Sequence, residues 1–520
     1  MSKAITKAGE KIVKPVEMKI NILPVYGSLI HDYAYEGPCR FGAAEELTHD
    51  FDANASAAGF KAFKEKIAAL YGNDPDINML PAVHIPVSDE FSYRPEVFES
   101  LEPQMGAVDV IFAYGNPMPR MCRELNSRFG KPFVILTNSG AITTSVMSDL
   151  IADGFKDVYG PIDWNEATRY FRSLKAVKAL KNTRVLKMIR HESDAYLTQD
   201  FFIANDVLRN KLGVQSTSIN MHEMMDQLHN GDGTGNYTLP IRKVYNLDDS
   251  DEEEAIAITR DLMSGADDCW MEEDKVNKSV RFNVLTRKLM EQFGCNAFTA
   301  QCKECCATTR INQEQVTYCL GHSLNMECGI VSACEGDINA LCAATVLASV
   351  SHKAPYMSNT TPLVLDENEE IVSKNWFSDQ PCVKEYPNEL YCTWHAVPNR
   401  YMQGFDSEPA HYGVGPFAAN ARFGATIRYK FEEDAGKEIT LMRFNPRGTK
   451  MLIVKGTIVG GTGYDRYGCP EGIYFRVNNR DELFHAQLEF GNHLPLVYGD
   501  YVKTLKTVAE VLGIEPVVFQ

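Results

Sequence analysis

Apolar runs of strand length recur along the first third of the chain. Residues 18–26 (MKINILPVY), 107–114 (AVDVIFAY, followed by Gly115) and 131–138 (KPFVILTN) each read as a buried strand. Helical segments fill the intervals, for example 55–71. Strands alternating with helices predict an open parallel sheet. A second unit opens with 183–190 (TRVLKMIR), adds a strand candidate at 214–220, and passes through a polar, glycine-rich loop at 230–237 (NGDGTGNY). The acidic run at 248–254 predicts the start of a helix. Ser250 with Glu253 fits a capping box, and carboxylates favour a helix N-terminus. The oxygen spacing of a calcium loop is absent.

The last third changes period. Residues 438–444 (EITLMRF) and 451–459 (MLIVKGTIV) are strand-like with no helix between them, which predicts an antiparallel sheet or barrel. A final helix at 499–512 stops at Gly513, and 517–519 returns as a strand. The fold class expected is therefore α/β, with parallel-sheet domains over 1–170 and 171–355 and a C-terminal antiparallel, barrel-like domain over 356–520.

Composition narrows the function classes. A chain of 520 residues is too long for one core. Its 44% hydrophobic and 23% charged residues exclude a disordered or fibrous whole. A formal net charge of -17 argues against nucleic acid as a partner. No run approaches the roughly 20 apolar residues of a membrane span. Residues 1–19 mix Lys and Glu without a secretory apolar region and read as a solvated lead-in. The expected location is cytoplasmic, and the 14 cysteines are expected to be reduced thiols.

The most informative stretch is 326–360. Residues 328–334 (CGIVSAC) read as a short buried strand, 338–350 as an apolar helix and 354–357 as a second strand. A right-handed crossover would lay these strands parallel. Their carboxyl ends, carrying Glu335 and Asn359, would then share the sheet edge where open α/β sheets bind ligands. Asp337 reads as the helix N-cap. Glu335 has no such structural role; a carboxylate after an apolar strand needs a partner or a metal.

From these residues outward the sequence resembles the L-fucose/L-arabinose isomerase superfamily. LNMECGIVSACEGDINA (324–340) resembles its glutamate motif and APYMSNT (354–360) the segment supplying the second acidic ligand. TWHAVPN (393–399) resembles its histidine segment, and GNHLPLVYGDYVKTLKTVAEVLGI (491–514) its C-terminal histidine motif. The resemblance is specific over 293–519 and only architectural before that. It implies two Rossmann-like domains before the barrel-like one, a small sugar substrate, a divalent cation (usually Mn2+, otherwise Mg2+ or Co2+) and a homo-hexamer with shared active sites. Carried over, Glu335 is a metal ligand and proton-transfer carboxylate, and His493 is a metal ligand. His395 matches a histidine that ligates metal or contacts sugar. The second acidic position holds Asn359, or Ser358 with a slip of one. An amide oxygen still binds a hard cation but brings no charge. Asn359 can thus be a weaker ligand, or Asp337 or Asp366 can assist.

The chemistry stands without the family. Moving a proton between C2 and C1 of a sugar passes through an enediolate. A divalent ion on its two oxygens stabilises that charge, and a nearby carboxylate serves as base and then acid. One histidine with oxygen ligands suits manganese or magnesium. The substrate that the resemblance implies is a pentose, a 6-deoxyhexose or a 6-sulfo-sugar, the last needing a cation such as Arg422, Arg428 or Arg466 at its far end. A non-catalytic sugar-binding relative is the alternative, with Asn359 its best support.

Weaker signals have plainer readings. Cys302, Cys305 and Cys306 (CKECC) carry a CxxC spacing, but no second pair follows and Cys302 reads as the end of a buried strand. Gly413, Gly415 and Ala418 mimic a dinucleotide fingerprint without its preceding strand and read as a loop. Gly460, Gly461 and Gly463 read as a turn after a strand.

Overall fold

The computed structural model describes residues 9–30, 48, 50–88, 95–117, 119–190, 203–204, 206–228, 246–302, 305, 308–368, 370–372, 380–465 and 467–520. The glycine-rich segment 230–237, Cys306 and Arg466 lie outside them. The chain divides into two compact units, Lys19–Lys175 and Met1–Met18 with Ala176–Gln520. The division falls inside the helix Trp164–Lys181.

The smaller unit is built on a six-stranded parallel sheet. Ile20–Ile30 pairs with Ile77–Met79, Val83–Ser88 and Val110–Gly115, and Phe133–Thr137 and Val158–Tyr159 extend the sheet. Leu23, Val25, Ile111, Ala113 and Ile135 are buried in its core. All three apolar runs predicted in this region are strands. Helices Phe51–Tyr71, Pro119–Phe129 and Gly140–Ala152 occupy the intervals.

The larger unit contains a four-stranded parallel sheet in the order Val331–Ala333, Ala297–Ala300, Arg184–Ile189, Gln215–Asn220. It also contains an antiparallel sheet in the order Asn359–Pro362, Leu390–Trp394, Gly472–Arg476, Lys450–Thr462, Glu438–Phe444, Leu496–Tyr498. Glu515–Phe519 joins Lys450–Thr462 in parallel. Backbone bridges Tyr356↔Leu496 and Asn359↔His493 connect the first and last strands of the antiparallel order. A three-stranded sheet pairs Phe423–Tyr429, Tyr412–Ala418 and Asp268–Cys269.

The helix Ile338–Ser351 packs against both of the larger sheets. Every residue from Ile338 to Val350 is buried, which is why it is apolar on all sides rather than along one stripe. This placement corrects the crossover expectation. The helix does not return the chain to the parallel sheet. After the left-handed cap at His352 (φ +53), Tyr356 bridges Leu496 and Asn359 opens a strand of the antiparallel sheet. In the stretch expected as a strand at 354–357, Tyr356 exchanges backbone hydrogen bonds with Leu496, while the Ala354 N–H donates to the Tyr401 carbonyl.

Other expectations shift in smaller ways. The helix Asp249–Ser264 has a capping box built from Asp248 and Asp251, not Ser250 and Glu253. Asp248 accepts from the Asp251 N–H, and Asp251 accepts from the Asp248 N–H. The segment with Gly413 and Gly415 is a strand, not a loop. Its Val414 is buried with Phe282, Ala425 and Ile427 in the larger unit, which gives the segment an apolar face despite its glycines. Gly460 and Gly461 lie inside a strand, and Gly463, with φ +99, makes the turn after it. The lead-in is not wholly solvated: Ile12 and Val16 are buried in the larger unit.

Candidate metal centre

Glu335 follows the strand Val331–Ala333 with φ +58, and Gly336 follows at φ +75. Two successive left-handed residues turn the chain sharply. For a glutamate this conformation costs about 1–3 kcal/mol and persists only where its surroundings enforce it. A Cβ on Gly336 would meet Gln301 Cγ at 3.1 Å, so glycine fits both the angle and the space. The turn brings Glu335 Oε1 to 3.7 Å from His395 Nε2 and Oε2 to 3.8 Å from His493 Nε2. The three residues are buried, with ligand atoms all within 4.8 Å of one another.

The antiparallel sheet supplies the two histidines. His395 follows the strand Leu390–Trp394, whose Trp394 pairs with Asn359; Asn359 in turn bridges His493. The ring centroids of His395 and His493 are 5.9 Å apart. The His395 backbone is anchored by its N–H to the Glu471 carbonyl and by Tyr356 Oη, which donates to the carbonyls of both His395 and Glu471. Glu471 itself is fully buried against Arg428 at 3.0 Å.

His493 is held more elaborately. Its Nδ1 lies 2.9 Å from Asp337 Oδ2. A carboxylate there accepts the Nδ1 proton, which leaves the Nε2 lone pair bare. That atom is buried and has no hydrogen-bond partner among the described residues, as befits a ligand nitrogen. Asp337 caps the helix through the Ala340 N–H and pairs with Arg443 at 2.9 Å. Burial alone would raise the Asp337 carboxyl, but Arg443, His493 and the Ala340 N–H outweigh it and hold it below its ordinary range. Arg443 also donates to the carbonyls of His493 and Phe490, each at 2.7 Å. One guanidinium therefore fixes both the backbone of His493 and the carboxylate that orients its ring.

His395 differs. Its Nδ1 accepts from the Ala396 N–H at 3.1 Å. The neutral ring then carries its proton on Nε2, the atom facing Glu335. In this arrangement His395 is a hydrogen-bond donor, and to ligate an ion it must give up that proton.

The residues present can hold a metal ion. A carboxylate and a bare imidazole nitrogen face each other, and a second imidazole completes the group. In backbone register Asn359 pairs with Trp394, the residue before His395, and bridges His493. Its amide nitrogen donates to the Trp394 carbonyl at 3.3 Å and its amide oxygen accepts from Asn492. Among the other candidates, Ser358 donates to the Leu494 carbonyl and Asp366 caps the N–H groups of Asn368 and Glu370. Arg422 donates to the Trp270 carbonyl and Arg428 is committed to Glu471.

Sequence reasoning missed Arg443, the link from Asp337 to His493, and His322. An arginine inside the apolar run EITLMRF was the available signal for the first. His322 is buried, with Nδ1 2.7 Å from Ser332 Oγ. Burial, with a smaller push from His395, lowers its pKa to about 3. The unfolded ring titrates near 6.5, so between those values the unfolded chain binds the extra proton. The stability His322 contributes is complete above about pH 6.5 and is lost as pH falls toward 3. From about pH 7 to about pH 5 the wild type is expected to lose about 2 kcal/mol more than His322→Phe. Urea unfolding at the two pH values measures this; parallel losses would assign the acid sensitivity elsewhere.

Among the described residues no helix is long and apolar enough to cross a membrane. In comparison with known proteins, no protein-family model and no curated protein matches the chain.

Proposed function

We propose that this protein is a metal-dependent aldose–ketose isomerase of the L-fucose/L-arabinose isomerase type, acting on a pentose, a 6-deoxyhexose or a 6-sulfo-sugar. The observation that carries the reading is Glu335, held in a left-handed conformation opposite the bare Nε2 of His493. Glu335 and His493 would hold the ion, manganese or else magnesium or cobalt, with His395 as third ligand or sugar contact. A divalent cation supplies Lewis-acid stabilisation of negative charge on neighbouring sugar oxygens. Glu335 removes the proton from C2 and returns it to C1. His395, with its proton on Nε2, donates a hydrogen bond to a sugar oxygen. Burial of all three groups keeps water from competing for the charge.

The same reading carries Rossmann-like parallel units, a barrel-like C-terminal sheet, a homo-hexamer and a cytoplasmic location. The bridges from 356 and 359 to 496 and 493 support the barrel. The alternative is a non-catalytic sugar-binding relative. It is favoured by Asn359, whose amide is engaged by Trp394 and Asn492 and brings no second carboxylate to the group. A panel of pentoses, 6-deoxyhexoses and 6-sulfo-sugars, assayed for ketose formation with added manganese, separates the two. Isomerisation of one class, abolished by chelation, is expected. Saturable sugar binding without ketose formation would select the alternative.

A further inference from the structure

Two thiols meet beside the candidate metal centre. The strands Ala297–Ala300 and Val331–Ala333 run parallel with Thr299 opposite Ala333. Their carboxyl ends therefore lie together. Cys302 follows the first and Cys334 the second, and their Sγ atoms are 3.4 Å apart. Both are free thiols; Cys334 is buried and Cys302 only partly so. The thiol that Cys302 touches thus comes from the neighbouring strand end.

Position gives this pair its consequence. Cys334 directly precedes Glu335, and its N–H donates to Met357 Sδ at 3.1 Å. A disulfide needs sulfurs about 2.05 Å apart, so the two must approach by more than an ångström. Glu335 already sits at φ +58 with Gly336 at +75. Glu335 is joined directly to Cys334, so a shift of Cys334 displaces the backbone that carries the Glu335 carboxylate.

We propose that Cys302 and Cys334 form a reversible redox pair, closed to a disulfide by a peroxide, that moves Glu335 away from His395 and His493. The partly exposed Cys302 sulfur attacks one peroxide oxygen. The O–O bond breaks, the other oxygen leaves as water with the thiol proton, and Cys302 becomes a sulfenic acid. The Cys334 sulfur then attacks the Cys302 sulfur. The S–O bond breaks, and a second water leaves with the Cys334 proton. Two thiols and one hydrogen peroxide thus give one disulfide and two waters. The sulfurs lose two electrons and the peroxide gains them. A dithiol reductant reverses the change.

The effect on metal binding rests on the metal-centre reading; the disulfide does not. The full chain is treated with hydrogen peroxide, remaining thiols are alkylated, and the cross-links are mapped by mass spectrometry. Manganese is titrated into the reduced, oxidised and re-reduced protein. A Cys302–Cys334 link is expected in wild type and absent from Cys302→Ser. Manganese affinity is expected to fall about tenfold or more on oxidation, to recover on reduction, and to stay constant in Cys302→Ser. Three results would overturn the proposal: a link from Cys302 to another cysteine such as Cys469, over-oxidation of Cys302 without a link, or unchanged affinity in the linked protein. If the reduced protein binds no manganese, the metal-centre reading and the coupling to it fail together, while the map still decides the pair.

Discussion

Glu335→Gln is expected to reduce isomerase turnover by about 10²–10⁴-fold or more while leaving the fold intact. That range is typical for loss of a general acid–base alone, and under the proposed function the same substitution also removes a charged metal ligand. Gln keeps the size of Glu and faces the same backbone strain at φ +58, so the stability change should be small. That separation makes the variant informative. Circular dichroism and urea unfolding report the fold; ketose formation at saturating manganese reports the chemistry. A folded Glu335→Gln protein with near-normal turnover would remove the carboxylate from the reaction. High manganese does not rescue it under this account, because the proton-transfer group is itself missing.

Arg443→Met is expected to destabilise the larger unit by about 3–5 kcal/mol, the cost of leaving a buried carboxylate without its partner. Arg443 and Asp337 are both fully buried, so solvent cannot replace the lost pairing. The double variant Arg443→Met with Asp337→Asn removes the stranded charge and should recover part of that loss. It should not recover metal binding. Asp337 fixes the tautomer of His493, and loss of such an outer partner weakens metal affinity by about 10–100-fold. Denaturant unfolding of the two single variants and the double variant gives the coupling energy. Additive losses would mean that the two side chains do not act as a unit.

Much of the architecture could be read from the chain. The apolar runs at 18–26, 107–114, 131–138 and 183–190 each became a parallel strand because burial on both faces leaves no alternation to misread. The run at 438–444 became the antiparallel strand Glu438–Phe444. The route of the chain after the helix Ile338–Ser351 was not legible. An apolar helix between two short apolar runs looks the same whether it returns to one sheet or passes to another. Only the pairing of Tyr356 with Leu496, 140 positions away in sequence, distinguishes them.

For the site, Glu335 was legible as a carboxylate with no structural excuse, and His395 and His493 only through family resemblance. The structure brings these three together. Asn359 pairs with Trp394 and bridges His493 in register, but its amide is bound by Trp394 and Asn492. The reason Asp337 matters was hidden: the helix-cap role that explained it is real, yet its second oxygen orients His493. A residue can satisfy a local rule and serve the site as well, and sequence spacing reports only the first.

The central claim is that a divalent cation binds between Glu335 and the lone pair of His493. Calorimetric titration of manganese into metal-free wild type and into folded His493→Ala tests it most directly. The account predicts one manganese per chain in wild type, with affinity weakening as pH falls because the proton competes for the imidazole, and loss of that binding in His493→Ala. Equal stoichiometry and affinity in the two proteins would contradict it.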